Sequence, residues 1–143
     1  MGTICLQMID HSVSSRWWKA LVKYFVQAGD DLEIRCWKEE TSEIQQALRY
    51  GKPAEERNEI SIKGIVSEEF LAELLKENPT DKQIYNKMTK YFTINTNHEQ
   101  RSFCSAHYGT EMYILNASCE DINFFQDVMK AHPEDFSISI TEC

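Results

Sequence analysis

The sequence predicts an α/β domain, with α+β as the variant: one mixed β-sheet of about six or seven strands, helices packed on it, and a β-α-β unit at each end of the chain. Three observations carry this expectation. Short segments that alternate apolar and polar residues are interleaved with segments whose apolar residues recur every three or four positions. Serines suited to capping helices, and Gly or Pro suited to ending them, stand at the junctions. One order of cap, stripe and strand recurs at matched spacing near both ends.

Ile4, Leu6 and Met8 alternate with Thr3, Cys5 and Gln7, which predicts a first strand. Ser14 or Ser15 can cap the next helix by accepting backbone N–H bonds. Its apolar stripe is Trp18, Leu21, Val22 and Phe25, with Trp17 at the stripe's edge, and Gly29 ends it. Leu32, Ile34 and Cys36 alternate with Glu33, Arg35 and Trp37 as a second strand. Ser42 with Gln45 makes a capping-box pattern for a short helix through Ile44, Ala47 and Leu48 to Gly51. Residues 52–58 are polar and contain Pro53, so they read as a loop. Ile60 and Ile62 then alternate with Glu59, Ser61 and Lys63 as a third strand.

Ser67 caps a helix whose stripe is Phe70, Leu71, Leu74 and Leu75, ended by Asn78-Pro79. Thr80 with Gln83 is a further capping box, opening a short helix through Ile84 and Met88. The β-formers that follow predict strands near 91–95, 101–108 and 112–116. Ser118 caps a last helix with Ile122, Phe125, Val128 and Met129 inward, ending at His132-Pro133. Phe136, Ile138 and Ile140 alternate with serines as the final strand. A shift of 104 residues lays Ser14 on Ser118, Trp18 on Ile122 and Ile34 on Ile138. Two strand–helix–strand units of similar length give such an echo by default, and a duplication is the sharper reading.

The 143 residues suit one domain spanning 1–143, and 42% hydrophobic with 27% charged residues is a folding rather than a disordered composition. The net charge of −8 disfavours general nucleic-acid binding, which needs clustered Lys and Arg. The excess is uneven: residues 29–77 hold 13 acidic and 7 basic side chains. No run approaches the ~18 apolar residues of a membrane span. The first residues do not form a secretory leader, and the five cysteines are odd in number, irregular in spacing and without a C-x-x-C pair. Free thiols in the cytoplasm is the expectation.

Chemistry-bearing patterns are sparse. Cys104 with His107 or His98 could pair a thiolate with an imidazole, or ligate zinc, but an extended strand sends Cys104 and His107 to opposite faces. Asp10-His11-Ser12 holds the residue types of a hydrolase triad as sequence neighbours, which cannot form the required line. The isolated glycines write no phosphate loop. Glu68, Glu69, Glu73 and Glu77 read as a solvated helix face. No cofactor, metal or catalytic residue is therefore expected.

Trp37 is different, because its strand face carries Glu33 and Arg35, and Lys38, Glu39 and Glu40 follow it. Either another element covers it, or it is an exposed anchor beside carboxylates, where Trp is favoured for binding. The expected function is a non-catalytic acidic binding protein that docks a basic protein partner, for example a toxin-neutralising immunity or inhibitor protein. Its contact residues would be Glu33, Trp37, Glu39 and Glu40. The alternatives are a homo-oligomeric structural or regulatory subunit, and a small enzyme using Cys104 with His107 or His98.

Overall fold

The alternating segments become strands and the striped segments helices, as a computed structural model describes for residues 1–77 and 87–141. In chain order the elements are β1 (Gly2–Met8), α1 (Arg16–Phe25), β2 (Asp31–Trp37), α2 (Thr41–Ala47), β3 (Gly51–Glu56), β4 (Glu59–Ile65), α3 (Glu68–Lys76), β5 (Thr93–His98), β6 (Arg101–Ala106), β7 (Glu111–Ala117), α4 (Cys119–Met129) and β8 (Phe136–Thr141). A short 3-10 turn, His107–Gly109, links β6 to β7. The expected helix opening at Thr80 falls mostly in 78–86, outside the described residues.

The α/β class holds, with one sheet and a β-α-β unit at each end of the chain. The sheet has eight strands in the order β3-β4-β2-β5-β6-β7-β1-β8, and every neighbouring pair is antiparallel. Strands joined through a helix nevertheless run parallel, because other strands lie between them. β7 and β8, joined by α4, flank β1, and β4 and β5 flank β2 in the same way. β1 and β2, joined across α1, are separated by β7, β6 and β5.

Two copies of one split-crossover arrangement result. β2-α2-β3-β4-α3-β5 has the sheet order β3-β4-β2-β5, and β1-α1-β6-β7-α4-β8 has the matching order β6-β7-β1-β8. The second unit begins with β1 and α1, is interrupted by the whole first unit, and resumes at β6. The 104-residue echo crosses this division, since it lays β2 of the first unit on β8 of the second.

Local chemistry explains the boundaries. The Ser67 hydroxyl accepts from Phe70 N–H at 3.1 Å. Ser118 and Asp121 form a reciprocal capping box at the start of α4. Residues 51–56 form β3, although the sequence predicts a loop over 52–58 and the end of a helix at Gly51. Pro53 is tolerated there because β3 is an edge strand that needs partners on one side only. Where β3 meets β4 the backbones nearly touch: a Cβ on Gly64 would sit 2.0 Å from the Tyr50 carbonyl oxygen.

All four described helices bury their stripes in one core cluster, against Ile4, Leu6, Leu32, Ile34, Ile94, Phe103 and Ile114. α1 lies between α3 and α4 and touches both. Its Trp18 is fully buried and donates its indole N–H to Ser105 Oγ of β6 at 3.0 Å. Because the stripes converge on one side of the sheet, no described helix covers the other side.

Candidate functional site

Register decides which side chains share the uncovered face. Across its middle run Ser139, Cys5, Tyr113, Cys104, Asn95, Glu33, Lys63 and Lys52, one from each strand. Tyr113, Leu115 and Ile65 are exposed on this face. A cluster of ion pairs lies at the β2–β4 end, around Arg35. Its Nε donates to Glu59 Oε1 at 3.0 Å, and its Nη1 lies 2.6 Å from Glu56 Oε2 and 3.3 Å from Glu33 Oε2. Three carboxylates thus surround one guanidinium, with Lys63 opposite Glu33 and Arg57 in the wall of the neighbouring cleft.

Glu33 is held as an anion. Burial alone would raise its carboxyl, but hydrogen bonds from Ser61 Oγ (2.5 Å) and Asn95 Nδ2 (3.0 Å), with Arg35 beside them, keep it below the usual range. Burial likewise opposes the charge on Arg35, and the bonds to Glu56 and Glu59 outweigh it, so the guanidinium is held more firmly protonated.

Trp37 lies on the same face, two residues beyond Arg35, and is half-buried. Its ring packs on Phe92 with centroids 4.8 Å apart, and Phe92 packs edge-on against Tyr108 at 5.2 Å. A cleft of about 570 Å³ opens beside Trp37, walled by Arg35, Glu56, Arg57, Asn58 and Glu59. The aromatic wall is held from behind by a strained turn. His107 and Tyr108 both have left-handed backbones, with φ of 49° and 60°. The Tyr108 carbonyl accepts from Met88 N–H at 2.9 Å, and Gly109 follows at φ 87°, where a Cβ would lie 2.6 Å from Met88 Cβ.

The four expected contact residues therefore divide. Glu33 and Trp37 stand on the open face. Glu39 is exposed in the turn after β2. Glu40 turns inward: Oε1 accepts Trp37 N–H at 2.8 Å and Oε2 accepts the Tyr108 hydroxyl at 3.0 Å. It holds the Trp37 backbone and the Tyr108 hydroxyl and is only partly exposed. Glu56 is the member that sequence reading misses, because reading 52–58 as a loop removes the register that places it beside Arg35. Residues 51–56 are nearly all exposed and carry no apolar alternation, so no signal in the sequence marks it.

The catalytic alternatives do not assemble. His98 and His107 flank opposite ends of β6, about 20 Å of strand apart at ~3.4 Å per residue, with Cys104 between them. His98 Nδ1 pairs with Asp30 Oδ1 at 2.7 Å, and His107 Nδ1 pairs with Glu111. Burial, with Glu111 and Glu33 adding to it, pushes the Cys104 thiol up to about 11, away from a reactive thiolate. Asp10 Oδ1 accepts both the backbone N–H (2.9 Å) and hydroxyl (2.6 Å) of Ser12, a turn closed on itself. Among the described residues no three His, Cys, Asp or Glu side chains gather as a metal site.

Cys5, Cys36 and Cys104 carry free thiols. Cys119 is disulfide-bonded, which overturns the expectation of five free thiols and with it the argument from cysteines for a reducing compartment. The spacing of cysteines in sequence is blind to which ones folding brings together. No described helix is long and apolar enough to cross a membrane. No protein-family model, curated protein or solved structure matches the chain.

Proposed function

We propose that this chain is a non-catalytic binding protein that docks a basic protein partner on the open face of its sheet, at the β2–β4 end. A toxin-neutralising immunity or inhibitor protein is one function of this kind. The observation that carries the reading is the cluster of Glu33, Glu56 and Glu59 around Arg35, beside the half-buried Trp37, on a face that no described helix covers. Carboxylates there would steer a basic partner by long-range attraction, and the Trp37 cleft would take an apolar or guanidinium-bearing side chain and slow its release. Arg35 fixes the carboxylates in place, so little side-chain entropy remains to be lost on docking.

The test uses two variants of equal charge change. Partners captured from the native cell and identified by mass would be tested for binding to wild type, to Glu39→Lys with Glu56→Lys, and to Asp127→Lys with Glu134→Lys. The first pair lies at the proposed surface and the second at exposed positions near the other end of the chain. The first should slow association about 10-fold or more at low salt, with the loss shrinking as salt rises, while the second should do much less. Trp37→Ala should speed dissociation about 30-fold, as a hot spot of ~2 kcal/mol would. Equal losses from the two charge pairs would reduce the effect to net charge and remove this face from consideration.

A further inference from the structure

The two edges of the sheet are protected differently. β3 carries Pro53, which has no N–H, and the charged Lys52, Glu55 and Glu56, all of which discourage a further strand from pairing. β8 is six residues of Phe, Ser, Ile, Ser, Ile and Thr, with neither charge nor proline. Ile138 is 38% exposed although its neighbours on that side of the sheet belong to the core. α4 packs over β1 and β7.

The hydrogen-bond phase of β8 follows from its register. Ile9 N–H donates to the Asp135 carbonyl at 2.8 Å, in line with the Met8–Phe136 pairing that follows. Two-way exchange with β1 therefore falls on the odd-numbered residues. Ile138 and Ile140 turn their N–H and C=O groups outward.

We propose that β8 pairs antiparallel with β8 of a second copy of this chain, so that two sheets continue into one across a two-fold axis. The strand is self-complementary. An axis at Ile138 or at Ser139 sets isoleucine against isoleucine on the helix side and hydroxyl side chains against one another on the open side, and no charge within the strand meets its own image.

Charge distribution favours the same edge. Residues 29–77, which hold most of the excess acid, build β2, β3 and β4 at the opposite end of the sheet. Joined through β8, the two β2 strands would stand about 50 Å apart at ~4.8 Å per strand, against a screening length of about 8 Å in physiological salt. Joined through β3, the acidic ends would face each other directly. This inference is independent of the partner proposed for the open face.

Solution mass of the full chain across a concentration series, with hydrogen exchange on the same samples, tests it. The expected result is twice the chain mass, with the Ile138 and Ile140 amides gaining protection as the dimer forms. Ile138→Lys and, separately, Ser139→Lys should each return the mass to one chain while far-UV circular dichroism is retained. Glu55→Lys on β3 should leave the dimer intact. Should Ile138→Lys fail to fold, Ser139→Lys carries the comparison, since Ser139 is exposed. A chain that stays monomeric throughout would overturn the proposal, including the case where β8 receives a strand from another protein. So would a dimer indifferent to both β8 variants, or one broken by Glu55→Lys.

Discussion

At the scale of single residues, Asp121 shows how one carboxylate holds several parts of the chain together. Its Oδ1 accepts from the Tyr24 hydroxyl at 3.0 Å and from Arg101 Nη1 at 3.1 Å, and its Oδ2 accepts Ser118 N–H at 2.9 Å. Arg101 also donates to the Phe25 carbonyl at the end of α1, so α1, β6 and α4 meet here. Burial opposes the charge on Asp121, but the bonds from Ser118, Tyr24 and Arg101 keep its carboxyl below the ordinary 3.8. A carboxyl lowered by folding stabilises the protein fully above its unfolded value and loses that contribution as pH falls through the folded value. Asp121→Asn should therefore cost about 1.5–3 kcal/mol at neutral pH, the usual range for hydrogen bonds to a charged group. Urea titrations at a series of pH values should show the difference from wild type narrowing below about pH 4 as wild type itself becomes protonated. A difference that stays constant with pH would show that shape, not charge, matters at this site.

At the scale of elements, α1 and β3 illustrate opposite balances between pattern and context. The α1 stripe is strong, and Trp17, Trp18, Leu21, Val22 and Phe25 are all buried. Trp17 lies at the stripe's edge in a sequence reading, yet it is buried against Phe136 of β8, with ring centroids 4.7 Å apart. Trp18→Ala removes a fully buried ring and strands Ser105 without its indole donor, so chemical denaturation should find a loss of about 3–5 kcal/mol. A change under about 1 kcal/mol, as at an exposed position, would mean that the helix face is assigned wrongly. β3 has almost no pattern of its own. It exists because β4 offers it a free edge, and the close approach at Gly51 and Gly64 lets the two strands meet.

At the scale of the molecule, two split-crossover units share one sheet and one layer of helices, and α1 bridges them by packing on both α3 and α4. Cys119 opens α4 and is disulfide-bonded, while Cys36 is buried on the helix side of the sheet. Burial, with Glu40, Glu43 and Glu59 nearby, pushes the Cys36 thiol up to about 12, so it should resist alkylation in the native protein. In denatured, unreduced protein Cys5, Cys36 and Cys104 should all alkylate, whereas Cys119 should do so only after reduction. Peptide mass mapping checks each position, and alkylation of Cys119 before reduction would remove the disulfide from the account.

Alternation and stripe spacing by themselves determined that Leu32, Ile34 and Cys36 face a core, that Trp18 and Phe25 meet it from a helix, and that Ser67 and Ser118 begin helices, because these depend on contacts a few residues apart. Glu33 and Trp37 could be placed on one face for the same reason. Only the tertiary structure decided that Glu56 and Glu59 converge on Arg35, that Glu40 turns inward to Trp37 and Tyr108, and that Cys104 stands apart from both histidines. Each of these is set by strand order and register between segments distant in sequence, and a period of two carries no information about which strand lies next to which. Antiparallel pairing throughout the sheet belongs to the same class of facts: helices join strands that run parallel, and the strands between them come from elsewhere in the chain.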